Sequence, residues 1–430
     1  MTAATEILPI MPPAPRTALT AKFMALSPGL RALVATGLGL FALSITRIVA
    51  GADDLTSGNT LIATLATAAP IIAVALGGLF SERAGVANIG LEGMMVLGTW
   101  FAAFAGWQWG PWAALAGGVF GGMLGGLMHA LATVTFGVDQ IVSGVAINFI
   151  APGVARFLSS EIFVGKGANN EGTISSSPNI ADPMGRFSIP GLSGLLKDID
   201  QKRWFFVSDL AGVLRAFVDQ MAWSTLIILL LIPISIYILW RTPFGLRLRS
   251  VGEKPSAAES LGVAVYRLKY ISVMISGGLA GLGGAWLVVN VRQYNEGQTA
   301  GRGFLGLAAL IFGNWQPIGV ALGAVLFSYG ISLQQAIGTK PIKALYLFIA
   351  AAFLAICLFV VFGRRSKVAA LGLAVAAGGL YAYYLNTDEV ASQITYITPY
   401  VIVLVVITFA STRSRPPASV GVPWRKGQST

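Results

Sequence analysis

The sequence predicts an all-α polytopic membrane protein, and three observations predict it. Hydrophobic residues make up 55% of the 430-residue chain and charged ones only 11%, where soluble domains carry roughly a quarter charged residues. The mean hydropathy is +0.74, and the apolar residues fall in blocks of about 20, the length that crosses a bilayer core. Glycine is abundant, at 52 residues, and small residues let transmembrane helices approach closely.

Twelve apolar segments follow in order: 31–50, 60–80, 88–107, 112–136, 140–163, 222–240, 268–290, 303–313, 317–337, 343–362, 368–385 and 394–411. Before them, "MTAATEILPIMPPAPRTALTAKF" lacks the basic-then-apolar order of a cleaved signal peptide, and residues 1–30 read as a flexible cytoplasmic tail. The first two spans lead to "LFSERAGVANIGLEGMM", where Glu82, Arg83, Asn88 and Glu92 interrupt apolar sequence. Glu82 and Arg83 are expected at a tight inside turn, paired with each other or reaching headgroups. Asn88 and Glu92, four apart, are expected on one face of the helix that follows. Segment 164–221, rich in Gly, Ser, Asn and Pro and then aromatic at "KRWFFV", reads as an extracytoplasmic loop with one or two interfacial helices. It serves either as a cover over lipid headgroups or as a docking surface. The segment 303–313 is too short to span alone. The run "GRGFLGLAALIFGNWQPIGVALGAVLF" is therefore expected to be one broken helix near 303–337, interrupted at Gly313–Pro317, with its freed backbone groups lining a cavity.

Charge orients the chain. With a cytoplasmic N-terminus, the loop 241–269 lies inside with six Lys/Arg against two acids, as do "GRRSK" at 363–367 and the basic tail 412–430. Asp53–Asp54 and Asp388–Glu389 fall outside, whereas Lys340 and Lys343 break the pattern. Both termini are thus expected in the cytoplasm. The net charge of +11 belongs to these loops and tails. No basic stripe interleaved with aromatics points to nucleic acid.

Several chemistries find no support. The only cysteine, Cys357, can form no disulfide within the chain. A single histidine, His129, excludes a multi-histidine zinc site and reads as a packed or interface residue. Metal-ligand spacings and the phosphate-binding Gly-x4-Gly-Lys-Ser/Thr motif are absent, so no cofactor, metal or catalytic residue is expected in this chain. A weak likeness between 106–127 and 313–333 hints at an internal repeat, of a kind common in transporters and shared by chance among Gly-rich helices.

Five stretches carry a resemblance: "ERAGVANIGLEGMMVLG", "VDQIVSGVAINFIAPGVARFL", "TPFGLRLRSVGEKPSAAESLGV", "GRGFLGLAALIFGNWQPIGVALGAVLF" and "PPASVGVPW", in this order. Together they resemble the membrane permease subunits of bacterial ABC importers in the branched-chain amino acid, ribose and nucleoside group, most closely the smaller nucleoside-importer permease. The resemblance covers about 60–337 and 394–426 and makes 31–411 one permease domain, with 338–393 a helix-pair insertion into a ten-segment core. It implies an inner-membrane transport subunit that is not itself an enzyme. It implies as partners a second, larger permease, two cytosolic ATPase subunits, and a substrate-binding protein or lipoprotein outside. Residues 241–267 become the cytoplasmic coupling loop, in which Ser256 can cap a short helix with Glu259 three residues on and Gly262 at its end. Arg247, Arg249, Glu253, Ser256, Glu259 and Gly262 are the expected ATPase contacts.

The substrate-path candidates are Asn88, Glu92, Gln140, Ser143, Asn148, Asn314 and Gln316, whose amides and hydroxyls suit a neutral polar substrate. For each, a helix–helix hydrogen bond is the competing reading. Glu92, costly in lipid, either pins two helices through the Gly-rich backbone or lies near the translocation route. The alternatives to nucleoside import are an ABC permease for sugars or branched-chain amino acids and an ion-coupled secondary transporter. An integral-membrane enzyme using Glu92 or His129 is the third class.

Overall fold

A computed structural model describes residues 25–26, 28–335, 340–362, 367–387 and 414–425. Helices occupy eleven of the twelve expected segments, and the twelfth, 394–411, lies outside the described residues. The chain opens with α1 (Pro28–Ala50), a 3-10 turn (Asp53–Leu55) and α2 (Gly58–Arg83). Ser57 starts α2 by accepting the Thr60 N–H at 3.2 Å. A non-helical linker, 84–90, with turns at 84–85 and 89–90, then leads to α3 (Leu91–Trp109) and α4 (Pro111–Ala130), whose last turn relaxes into a π-helix at Leu131–Thr135. Next comes α5 (Gln140–Ile162), capped by Asp139, whose carboxylate accepts the N–H groups of Ile141 and Val142.

The insert 164–222 ends in a two-residue β-ribbon, β1 (Arg186–Phe187) against β2 (Met221–Ala222), which brackets α6 (Leu192–Gln201) and α7 (Val207–Val218). α8 (Trp223–Arg241) returns through the bundle to the short helices α9 (Pro243–Glu253) and α10 (Pro255–Ser260). α8 thus separates two ends of the molecule, the insert end and the loop end. α11 (Val265–Val291), α12 (Arg302–Phe312), α13 (Pro317–Gln335), α14 (Lys340–Phe362) and α15 (Lys367–Asn386) complete the described helices. Among the described residues, six helical stretches are long and apolar enough to cross a membrane: 53–83, 111–135, 140–162, 223–241, 265–291 and 317–335.

The core is made of α2, α3, α4 and α11, wrapped so tightly that glycine sets the spacing. A Cβ on Gly122 would collide with the carbonyl oxygen of Gly277, and one on Gly281 with that of Gly118. α4 and α11 therefore touch backbone to backbone, the close approach small residues permit in lipid. α14 and α15 pack on each other at the periphery, near α1 and the 3-10 turn.

The stretch 303–337 is not one interrupted rod. Gly313 lies against Gly319 and Val320, Ala309 against Gly323, and the Phe312 and Phe327 rings stand 6.2 Å apart. α12 and α13 are an antiparallel hairpin. Asn314 and Trp315 both adopt left-handed backbone, with φ of 51° and 54°, and this reverses the chain where the sequence pattern allowed a simple break. α12, with 11 residues, is about 16 Å long and reaches only half-way through a bilayer.

Candidate functional site

The candidate residues converge on the linker 84–90. Ala84, Gly85 and Val86 still donate to carbonyls of α2, but a non-helical segment inside a bundle leaves its remaining N–H and C=O groups without helical partners, and each must find one. Side chains from α4 and α5 supply them. Gln140 Oε1 accepts the Ala87 N–H at 2.6 Å, and His129 Nε2 sits 3.0 Å from the Ala87 carbonyl. The other ring nitrogen of His129, buried on α4, meets Ser143 Oγ at 2.9 Å. One turn further along α5, Asn148 Nδ2 donates to the Ile89 carbonyl at 3.0 Å and its Oδ1 accepts the Gly93 N–H at 2.8 Å. The packed-histidine reading of His129 holds. Gln140, Ser143 and Asn148 do share one face, and that face grips the linker.

Asn88 and Glu92 do not share a helix face. α3 begins at Leu91, so Asn88 lies in the linker, fully buried, where its Nδ2 donates to Ser276 Oγ on α11 at 2.9 Å. A helical count from residue 88 fails because the first turn is spent on the non-helical run. Glu92, in the first turn of α3, accepts the N–H groups of Gly301 (3.1 Å) and Gly303 (2.6 Å). These are orphan donors at the N-terminus of the half-helix α12, where a carboxylate also meets the positive end of the helix dipole. The pinning of two elements through a Gly-rich backbone is thus observed.

Glu82 and Arg83 do not pair. Glu82, buried, accepts the Trp315 indole N–H at 2.6 Å, while Arg83 donates to the Trp315 carbonyl at 2.5 and 3.1 Å. Trp315 at the α12–α13 turn satisfies both, so neither charge needs the other. Arg83 also lies over the Trp240 ring at 5.6 Å, which Arg249 approaches at 5.4 Å, a cation–π arrangement. The turn carrying the exposed Asn314 and Gln316 is therefore at the loop end, away from mid-bundle.

The loop end holds two further pieces. α10 forms as expected and stops before Gly262, which adopts left-handed φ of +80°. Lys254 is its cap residue without a side-chain bond, so Ser256 sits inside the helix and not at its cap. Arg247, Glu253 and Gly262 are exposed, Ser256, Glu259 and Arg249 half-buried, and Leu261 projects with 84% of its surface free. The second piece is a strap, residues 414–425, which sequence reading treated as part of a tail. Ser419 N–H donates to the Gly252 carbonyl at 2.9 Å, Gly421 N–H to Gln140 Oε1 at 3.1 Å, and Arg415 N–H to Asn314 Oδ1 at 2.7 Å. Trp424 is buried against Tyr266, 5.3 Å between rings. The strap thus joins α9, the linker's clamp and the α12–α13 turn. Gly85 permits the strap's approach, since a Cβ there would strike Ser419 Oγ, and Gly252 lets α9 close on the end of α2, since a Cβ there would strike the Arg83 carbonyl oxygen.

At the insert end, Arg156 on α5 pairs with Glu296 at 3.1 Å. Burial and the Glu296 charge push the neighbouring Tyr294 phenol up to about 12, so it stays protonated. Among the described residues no group of three or more His, Cys, Asp and Glu is placed to hold a metal. The side chains that converge on the linker are engaged with backbone, an arrangement that holds a non-helical segment inside a membrane bundle; Asn88 bonds Ser276 instead, and its buried Oδ1 has no hydrogen-bond partner among the described residues.

A multi-pass helical bundle with a backbone break held at depth, a half-helix, and two short helices at one end defines a membrane transport component. The chain belongs to the family of branched-chain amino acid transport system permease components, whose profile matches residues 60–356 and so runs from α2 into α14. It is 42% identical over 273 residues to the guanosine ABC transporter permease protein NupQ of Bacillus subtilis, covering 62% of this chain and 78% of the relative. It is 37% identical over 280 residues to the nucleoside ABC transporter permease protein NupC of Lactococcus lactis, covering 63% and 80%. A putative glucose ABC transporter permease protein, TsgC13 of Haloferax volcanii, is 31% identical over 281 residues, covering 65% and 77%. No solved structure matches with comparable significance.

Proposed function

We propose that the chain is the smaller permease subunit of an ATP-driven nucleoside importer of a bacterial inner membrane. The observation that carries the reading is the pair of relatives at 42% and 37% identity, both permeases of nucleoside or guanosine ABC transporters. The chain works beside a second permease, with two ATPase subunits at the loop end and a substrate-binding protein or lipoprotein at the insert end. Both termini are cytoplasmic. ATP-driven closure of the ATPases moves α9–α10 and opens the route toward the insert end, and hydrolysis resets it. Leu261 and Gly262, with Ala257 and Ser260, form the exposed knob that enters the ATPase, flanked by Arg247, Glu253 and Glu259. Arg249, held at Trp240, positions α9. Asn88, Glu92, Gln140, Ser143 and Asn148 shape the route by fixing the linker, and Asn314 and Gln316 by fixing the strap and turn. The pair 338–393 is an addition at the periphery of the bundle.

The test is uptake by proteoliposomes holding this chain together with a second permease, an ATPase and a binding protein from the same genome. ATP-dependent accumulation of labelled guanosine, competed by other nucleosides and not by glucose or leucine, is expected. Competition by glucose alone moves the substrate to the sugar class of the Haloferax relative. Accumulation by this chain alone under a proton or sodium gradient overturns the class.

A further inference from the structure

Within the insert, α7 is folded inside out for water, whereas α6 and its cap expose Lys197, Asp198 and Lys202. On α7 the polar residues Ser208, Asp209 and Arg215 are buried, while Val207, Leu210, Leu214 and Phe217 point away from the protein, each 43–50% exposed. The stripe recurs at intervals of three and four residues, the spacing of one helix face. A helix washed by water carries the opposite polarity.

The depth of the insert explains the inversion. The Phe41 ring on α1 meets Phe205 and Phe206, at the α6–α7 corner, with centroids 5.4 and 5.8 Å apart. Phe41 stands nine residues before the end of α1 at Ala50, about 14 Å down the helix axis. At the other end of α7, Ala216 packs with Leu65 and Leu229, seven and six residues inside α2 and α8, about 10 Å from their ends. Side chains at both ends of α7 thus reach below the span ends, while its middle, Gly212, rests against Thr56 and Gly58 at the mouth of α2. Its outer stripe continues the exposed apolar face of α1 at Leu38, Ile45 and Ile48.

The charges beneath fit the same picture. Arg47, in the last turn of α1, is 2% exposed because the insert covers it. Its guanidinium pairs with Asp209 at 3.3 Å and Asp53 at 3.6 Å and donates to the Arg203 carbonyl. Arg215 pairs with Asp219 at 2.9 Å and Asp200 at 3.2 Å, and Asp200 also accepts the Gly58 N–H that opens α2. Every ion on this insert's inner face has a partner of opposite sign, as charges at membrane depth require.

We propose that the outer face of α7 and the Phe205–Phe206 edge lie among the acyl chains beneath the headgroups at the insert end, so that this insert docks on lipid. It is a wedge lying across the spans α1, α2 and α8, with the loop 164–185 and the charged residues of α6 facing water or headgroups. The occupant is lipid because the stripe runs into the exposed apolar face of α1, and the exposed charges nearby, Lys197, Asp198 and Lys202, belong to α6 and its cap and not to α7.

The experiment uses the assembled importer in phosphatidylcholine–phosphatidylglycerol vesicles. Cys357→Ser removes the single native thiol. A nitroxide is then attached at Leu214→Cys or Phe217→Cys, with Leu210→Cys as a second position should labelling impair assembly and Asn169→Cys as the aqueous reference. Collision with oxygen is expected to exceed collision with a water-soluble nickel chelate several-fold on the stripe, and the order to reverse at Asn169. Nickel access on the stripe equal to that at Asn169 overturns the proposal in favour of a water-facing insert. An immobilised label shielded from both reagents overturns it in favour of a protein partner.

Discussion

Glu92 does two jobs with one carboxylate. It closes the orphan N–H groups of Gly301 and Gly303 and places negative charge at the start of α12. Glu92→Gln keeps one acceptor and loses the charge, which should cost about 1 kcal/mol, whereas Glu92→Ala leaves both donors bare and should cost about 2–4 kcal/mol. Thermal unfolding of the purified chain in detergent, followed by tryptophan fluorescence, reads both. Equal melting temperatures for the two variants would remove the capping role. Gln140 makes a sharper case because its Oε1 serves the linker (Ala87) and the strap (Gly421) together. Gln140→Leu should therefore raise amide hydrogen exchange at 87 and at 421, residues far apart in sequence. A rise at one site only would show that the strap docks without the clamp. The types and faces of Gln140, Ser143 and Asn148 were legible in sequence, from their spacing on one helix. Their partners were not, because nothing local announces that residues 84–90 are non-helical, and that one fact also displaced Asn88 from the helix of Glu92.

At the scale of elements, hydropathy was a sound guide wherever an apolar block was long enough to be a span. It failed where direction or depth decided the structure. The α12–α13 reversal depends on two left-handed residues, Asn314 and Trp315, one of which is an aromatic that seldom takes that conformation. The strap was visible only as "PPASVGVPW", a tail with a buried-type Trp at its end, since each of its contacts is made with residues more than a hundred positions away. Those contacts make it a mechanical tie between α9 and the linker. Trp424→Ala should undock it at a cost of roughly 3 kcal/mol or more, exposing the Ser419 and Gly421 amides to exchange. It should reduce ATP-dependent uptake several-fold while membrane insertion and the melting temperature of the bundle change little. Unaltered uptake with an undocked strap would make the strap a cover and not a tie. At α10, Glu259→Lys and Gly262→Trp should abolish uptake and ATPase binding, read by co-purification, with the strap still docked.

For the whole molecule, the packing divides what can move from what cannot. The α4–α11 seam is backbone on backbone at Gly118, Gly122, Gly277 and Gly281, and interfaces packed this closely shift between discrete arrangements or not at all. α5, by contrast, buries little of its surface within the chain; it rests on α3, where Gly93 meets the Ile147 carbonyl and Trp100 donates to Ser159 Oγ, and on the linker clamp. The α9–α10 pair is held by the strap, by Trp240 and by the close approach of Gly252 to the Arg83 carbonyl at the end of α2. The inference is that transport moves α5, the linker and α9–α10 as a connected set against a fixed block of α2, α3, α4 and α11. A covalent tether across the seam tests it without touching the moving set. A Cβ on Gly278 would lie 3.4 Å from the Val119 side chain and 3.0 Å from that of Met123, so Val119→Cys with Gly278→Cys, in a Cys357→Ser background, brings two thiols within bonding reach. The oxidised double variant should import substrate at the rate of its reduced form. A loss of uptake on oxidation, restored by reductant, would show that the seam itself opens during the cycle and that the glycines serve sliding as well as closeness.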